Sequence, residues 1–285
     1  MKIPFRKALR PVRHKMRQSL AQAVDIKTVE AAFAHANDPV LFGTQLADLL
    51  AGVPQSALSI VNDRVAAYAF LAHVGNLVKL FNINFVIDAG AHSGQFASTL
   101  YGYGGYKGEV HSFEPVRKYY DILSTYVWYY SGWKAYNAAL GAVPGTSVIH
   151  VGGGHGGTSS LLGQTENLLR FAPDCALGDT EEITVHRVDQ WFGEVLADPE
   201  KRVMLKLDVQ GFESHVLDSC GEYLSRINLL QVEMSSIPLY QTQASIGELC
   251  ARLEDGGFAL VYVCNNFGVR NSVFIRLPIS EGAEG

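Results

Sequence analysis

Phe85-Val86-Ile87-Asp88-Ala89-Gly90-Ala91-His92-Ser93-Gly94 is the stretch that decides how this chain folds. Phe85, Val86 and Ile87 make the apolar run of a buried strand, and Asp88 stands at its carboxyl end. Gly90 and Gly94 bracket a turn, and Gln95 to Tyr101 continue as a helix. In an open α/β sheet, ligands bind outside the carboxyl ends of the strands, where glycine lets the backbone come close to them. A second strand, Glu109 to Phe113, ends in Glu114-Pro115, and Glu114 lies twenty residues after Gly94. An acid at that interval is the expected ribose-binding residue of a nucleoside site. Pro115 keeps Glu114 extended, because a residue before proline avoids the helical region.

What is missing from the turn narrows the nucleoside. A dinucleotide fingerprint needs glycine where His92 stands, so that a pyrophosphate can approach a helix N-terminus. Asp88 also places a carboxylate two residues before the first glycine, where it repels a pyrophosphate and suits a cation. S-adenosylmethionine carries a sulfonium and an ammonium group and no phosphate. Asp88, the turn Gly90, Ala91, His92, Ser93 and Gly94, and the pair Glu114 and Pro115 are therefore expected to bind S-adenosylmethionine rather than NAD. Asn137 and Ala138, closing a third strand, are expected beside the adenine, although Asn137 equally suits a turn.

The remaining strands follow outward from this start. Strand patterns recur at Ile83–Asp88, Glu109–Glu114, Trp133–Ala138, Val203–Asp208, Leu229–Glu233, Phe258–Val263 and Ser272–Arg276. Helical patterns lie between most of them, at Gln95–Tyr101, Val116–Tyr130, Glu213–Leu224 and Ile246–Gly256. Such alternation predicts an α/β fold with a doubly wound, mostly parallel sheet and helices on both faces. The last two strands lack a helix between them, which predicts a C-terminal hairpin with an antiparallel strand. Ser147 to Val188 breaks the alternation and reads as an insertion, two short strands (Ser147–Val151 and Ile183–Val188) around a long loop. Residues 1–80 show no strand pattern and read as an N-terminal helical extension, with the main domain at 81–285.

Composition sets bounds. The 285 residues are 48 % apolar, ordinary for a globular chain with a sizeable core. No apolar run reaches the length of a membrane span, and the N-terminus lacks a signal-peptide core. Cys175, Cys220, Cys250 and Cys264 are widely spaced, which predicts reduced thiols in a cytoplasmic protein and neither a disulfide framework nor a zinc site. Residues 1–17 hold seven Lys or Arg and no acid, leaving a body of net charge −12. Such an acidic body argues against a nucleic-acid enzyme. The basic arm offers a contact to an anionic partner or to the periphery of a membrane, and its plainer reading is a solvated terminus.

The second informative segment is Val203-Met-Leu-Lys-Leu-Asp-Val-Gln-Gly-Phe-Glu213. A lysine in so apolar a strand needs partners. Strand alternation puts Lys206 and Asp208 on one face, and Glu233 ends the next apolar run. A Lys206–Asp208–Glu233 cluster at the carboxyl edge is expected, as a catalytic group or as a structural ion pair. Glu213 opens a helix, where an acid complements the dipole. The glycine-rich segment Gly152 to Ser160 is a candidate lid that carries His155, and reads equally as a mobile surface loop. The histidines show no metal-ligand spacing, and no metal site is expected, although Asp208 with Glu213, Glu233 or His215 is the set that would hold a divalent ion.

Taken together the segments resemble the FkbM-type methyltransferases. The matching pieces are Asp88 to Phe96, Phe113-Glu-Pro115, Asn137-Ala-Ala-Leu-Gly141, Thr158-Ser-Ser-Leu161, Val188-Asp189, Lys206 to Glu213 and Val232-Glu233. They stand in the family's order and cover about residues 83–276. The resemblance implies a Rossmann-like, S-adenosylmethionine-dependent methyltransferase that acts on an oxygen of a sugar, glycolipid or secondary metabolite. It also implies that Asp88, Gly90 and Glu114 contact the cofactor. Many members carry Glu where this chain has Gln210, so no catalytic or metal role is assigned to position 210. Residues 1–80 match no known pattern and are candidates for substrate specificity or for homo-oligomer contacts. The expected reaction is direct displacement, with Asp208 as first candidate for the base, His155 as second, and Lys206 orienting Asp208 or polarising a small-molecule or glycan acceptor. Two rivals stand beside it, a non-catalytic scaffold that keeps the cofactor site and a nicotinamide-dependent oxidoreductase. His92 and Asp88 disfavour the second.

Overall fold

The computed structural model describes residues 70–102, 104–154, 156–266 and 269–277. The chain divides into two compact units, Met1–His73 and Val74–Gly285. Of the first unit, residues 70–73 are described and are helical. The rest of the expected N-terminal extension, with its basic arm, lies outside the described residues, as does His155.

The second unit opens with helical residues 74–80 and then alternates strand and helix. β1 (Phe85–Ala89), α1 (Gln95–Gly102), β2 (Glu109–Phe113), α2 (Arg117–Val127) and β3 (Trp133–Tyr136) form its first half. A second group follows, with β4 (Ala139–Leu140), β5 (Gly145–Gly152), α3 (Glu166–Phe171), β6 (Leu177–His186) and α4 (Val188–Ala197). The chain then returns through β7 (Val203–Leu207), α5 (Glu213–Asp218), β8 (Ile227–Ser235), α6 (Ile246–Asp255), β9 (Phe258–Asn266) and β10 (Val269–Arg276).

Among the described residues, seven strands form one sheet in the order β3-β2-β1-β7-β8-β10-β9. β1, β2, β3, β7 and β8 pair in parallel, and β10 runs antiparallel to both β8 and β9. This is the mostly parallel, doubly wound sheet with a closing antiparallel strand that the alternation predicts. β1 and β7 are buried along their whole length, as central strands covered on both faces must be. The strand order reverses between β1 and β7, and such a switch point opens a crevice at the carboxyl edge.

Three departures from the sequence pattern bear on the site. The insertion is a sheet of its own, with β6 at its centre, parallel to β4 and antiparallel to β5. Ile149, Ile183 and Val185 of this small sheet pack with Val116 and Tyr119, next to the end of β2. Second, Val188 begins helix α4 rather than ending a strand. Val188, Phe192 and Leu196 recur every four residues and are buried on the core. Third, the helix expected over Glu213–Leu224 stops at Asp218. It is followed by a 3-10 turn, Gly221–Arg226, whose Gly221 takes φ +53°. No described helix is long and apolar enough to cross a membrane.

Candidate active site

A row of polar side chains crosses the centre of the main sheet, and strand register explains it. Asp88 on β1 lies opposite Ser112 of β2 on one side and Lys206 of β7 on the other. Ser112 donates its hydroxyl to Asp88 Oδ2 at 2.8 Å, and Trp133 Nε1 donates to Ser112 Oγ at 3.0 Å. Lys206 Nζ meets Asp88 Oδ1 at 3.0 Å and also donates to the Gly90 carbonyl at 2.9 Å. Burial alone would lower the Lys206 ammonium, but Asp88, Asp208 and Glu233 outweigh it and hold it above its ordinary value. Asp88 is fully buried. Its charge therefore acts on Lys206, and through Lys206 on the Gly90 turn, and Asp88 itself does not line the cleft.

The turn after β1 is built to tight tolerances. Gly90 has φ +76°, and a Cβ there would lie 1.9 Å from the Asp208 carbonyl oxygen. Gly94 has φ +85°, and a Cβ there would press on Leu123 and Trp133. His92, where a fingerprint would have glycine, adopts φ +50°. Its ring stacks on Tyr119 with centroids 4.0 Å apart.

Glu114 stands at the end of β2, two strands from β7. Its Oε2 accepts the His92 backbone N–H at 2.7 Å and its Oε1 that of Val116 at 2.9 Å. Burial pushes this carboxyl up to about 7 despite both bonds. Asn137 donates its amide to the carbonyls of Glu114 and Pro115 at 3.0 and 2.8 Å, which clamps the turn that carries the acid.

At the ends of β7 and β8, Lys206 lies 3.7 Å from Asp208 Oδ2. Gln210 Nε2 donates to Asp208 Oδ1 at 2.9 Å and to Glu233 Oε2 at 2.5 Å. Lys206, Asp208 and Glu233 thus share the carboxyl edge, with Gln210 placed between the two acids. Burial first, and then the Asp208 carboxylate, push the Glu233 carboxyl well above its ordinary range. Glu213, at the start of α5, accepts from the N–H groups of Val209 and Gly211, and burial pushes it up to about 7.

The cleft between these groups is open to solvent on one side and holds about 620 Å³ of empty space, the open mouth included. Gly90, His92, Glu114 and Pro115 line it on one side, and Asp208, Val209 and Gln210 on another. Ala139 and Leu140 of β4 contribute a further stretch, whereas Asn137 and the buried Ala138 do not line it. Gly156, Gly157, Ser159 and Ser160 close a wall. That glycine-rich wall is pinned in place: Thr158 donates to the Cys175 carbonyl at 2.7 Å, and Ser160 to the Gln210 carbonyl at 2.6 Å. Tyr240 braces the same wall, with its hydroxyl 3.1 Å from the Thr158 carbonyl and 2.8 Å from Gln210 Oε1. Tyr240 is 2 % exposed and approaches from beyond β8. Nothing in local sequence signals it. Among the described residues, no group of three or more His, Cys, Asp or Glu is placed to hold a metal ion.

Comparison with known proteins adds a family. The family model described as the methyltransferase FkbM domain matches residues 88–260. Among curated proteins, none matches the chain. Solved structures similar to it include magnesium protoporphyrin IX methyltransferase from Synechocystis PCC 6803 with bound SAM, at 13 % identity. That match covers 90 % of this chain and 99 % of the other, with a TM-score of 0.42. A SAM-dependent methyltransferase from Aquifex aeolicus is 13 % identical, with 70 % and 87 % covered and a TM-score of 0.37.

Proposed function

The chain belongs to the FkbM methyltransferase family, and from that membership and the geometry of the cleft we propose that it transfers the methyl group of S-adenosylmethionine to a hydroxyl oxygen of a sugar, glycolipid or other small metabolite. The observation that carries this reading is the pair of acids facing one cleft at the switch point, Glu114 after β2 and Asp208 after β7. The residues fit an adenosyl sulfonium. Glu114 is held so that its oxygens keep lone pairs for ribose hydroxyls, and Asp208 suits a cation.

When bound, S-adenosylmethionine supplies an activated methyl group on a positively charged sulfur. The protein's work is then to bind and align. Glu114 anchors the nucleoside, with His92 and Val116 holding its carboxylate and Asn137 steadying its turn. Alignment of an acceptor hydroxyl with the methyl group is worth on the order of 7–11 kcal/mol. Asp208 takes the hydroxyl proton, which adds about 10²–10⁴-fold. Lys206 fixes Asp208 from behind, and Asp88 keeps Lys206 charged.

Calorimetry with S-adenosylmethionine on wild type and Glu114→Ala tests the donor site, and loss of affinity is expected. Equal affinity in the two proteins removes Glu114 from it. Asp208→Asn is expected to bind S-adenosylhomocysteine yet to yield no methylated product in a screen of sugars with a labelled donor. Wild-type turnover in that variant rules Asp208 out as the base.

A further inference from the structure

Position 210 carries more of the site's bonding than any reading of the motif assigns to it. Gln210 has a left-handed backbone, φ +54°, which costs a non-glycine residue about 1–2 kcal/mol. Its surroundings enforce that conformation. Ser160 donates to its carbonyl, and the next residue, Gly211 (φ +92°), packs so closely on the Tyr240 ring that a Cβ would lie 2.9 Å from it. The Tyr240 hydroxyl has one proton and two acceptors in reach, Gln210 Oε1 at 2.8 Å and the Thr158 carbonyl at 3.1 Å, and the nearer takes it. That bond and the two acids together fix which way the amide points. With Oε1 taken by Tyr240, the two N–H groups of Nε2 face Asp208 and Glu233, one for each acid. Reversed, the amide oxygen would confront the Asp208 carboxylate.

One amide thus bridges the two acids, and burial with the Asp208 carboxylate pushes the Glu233 carboxyl well above its ordinary range. Asp208, ion-paired with Lys206, is the member of the pair that lines the cleft. Lys206 faces it from β7 with its charge divided between Asp88 and Asp208, Glu213 faces it from α5, and β10 places uncharged Asn271 opposite Glu233. Along the carboxyl edge the order is Glu114, Gly90, Asp208, Glu233, each on the strand next to the last. Glu114 and Asp208 stand two strands apart, about 10 Å.

We propose that Gln210 and Tyr240 are positioning residues that hold the Asp208–Glu233 pair so that Asp208 turns its negative charge toward the cationic sulfur of the methyl donor, and that the site thereby prefers the charged donor to its uncharged product. The proposal rests on the reading of the cleft as an S-adenosylmethionine site and adds what makes that site release its product. In transfer, the C–S electron pair stays on sulfur, the methyl carbon bonds to the acceptor oxygen, and the hydroxyl proton passes to Asp208. The sulfur loses its positive charge and Asp208 its negative one in the same event, so the attraction that held the donor does not hold the product.

The test is calorimetry on the full chain with S-adenosylmethionine and S-adenosylhomocysteine, which differ at this sulfur by a methyl group and one charge. Wild type is expected to bind the charged form about tenfold more tightly, the size of one partly screened charge contact. Asp208→Asn should bring the ratio close to one. Tyr240→Phe, which removes a single hydroxyl, and Gln210→Met should each lower the ratio by about threefold while homocysteine-form affinity stays within about twofold. A role confined to holding the fold would weaken both ligands alike, and that result overturns the proposal, as does an unchanged ratio in both variants. Equal affinity of wild type for the two ligands also overturns it while leaving the donor reading in place. Binding of neither ligand overturns the donor reading itself.

Discussion

Single residues set the tolerances of this cleft. Gly90 touches the Asp208 carbonyl so closely that glycine alone fits its space and its backbone angle. Gly90→Ala is expected to cost about 1–3 kcal/mol in backbone strain, with the steric clash added to it. Urea unfolding followed by tryptophan fluorescence measures this loss, and an unmoved midpoint contradicts the assignment. Gly90 was legible in the sequence because a turn between an apolar strand and a helix demands such a residue. The role of Asp88 was legible only in part. Its position at a strand end suggested a ligand for a cation, and the cation it meets is the Lys206 ammonium. Lys206, read from the sequence as a lysine in need of partners, has three: Asp88, the Gly90 carbonyl and Asp208. Breaking so buried a pair by removing one member typically costs about 3–5 kcal/mol, so substitutions at Asp88 report on folding as well as on the site.

At the scale of elements, the strand ends were readable and the way they are braced was not. Glu114 closes β2, and its turn is held by Asn137 from the end of β3, across the edge. Asn137→Ala removes two hydrogen bonds from the turn without touching the cleft. Each is worth about 0.5–1.5 kcal/mol, and calorimetry with S-adenosylhomocysteine should show roughly tenfold weaker binding. Unchanged affinity means that Pro115 alone keeps Glu114 in place. Helix α4 shows why other elements escaped. Its stripe of Val188, Phe192 and Leu196 is present in the sequence, but only Arg187 separates Val188 from the end of β6, so a reading by apolar runs merges the two. The small sheet was hidden for a different reason. β5 and β6 are joined by more than twenty residues of loop and short helix, and no hairpin turn announces their pairing. Without that sheet the glycine-rich segment reads as a free lid. With it, the segment is an anchored wall whose Ser160 reaches Gln210.

For the molecule as a whole, buried ionisable groups link stability to pH. Burial pushes Glu114 and Glu213 up to about 7 and Glu233 well above the carboxylate range. The folded chain then keeps protons that the unfolded chain has already released, so these groups make stability fall as pH rises from the ordinary carboxylate value through the folded one. His111 acts with the opposite sign. Burial lowers it to about 4, and it favours folding as pH rises toward the ordinary histidine value. Above that value the contribution of His111 levels off and the carboxyl groups set the sign. The ligand-free protein is expected to unfold at lower urea concentration at pH 8 than at pH 6.5, and Glu213→Gln should flatten the difference. A midpoint that rises over this interval contradicts the prediction. Trp128, Trp133 and Trp191 all lie in the unit Val74–Gly285, so their fluorescence reports on that unit.

The sequence by itself determined what depends on neighbours along the chain. Periodicity marks the strands, glycine chemistry marks the turn after β1, and the interval to Glu114 marks the acid that closes β2 and lines the cleft. Tertiary structure decided which side chains meet across strands. Register between β1 and β7, imposed by burying both faces of the sheet, sets Asp88 against Lys206. The crossing of β7, β8 and the β5 loop brings Gln210, Tyr240, Glu233 and Ser160 to Asp208. Those contacts join residues far apart in the chain, and no local pattern encodes them, because the energy that selects them comes from packing the whole sheet.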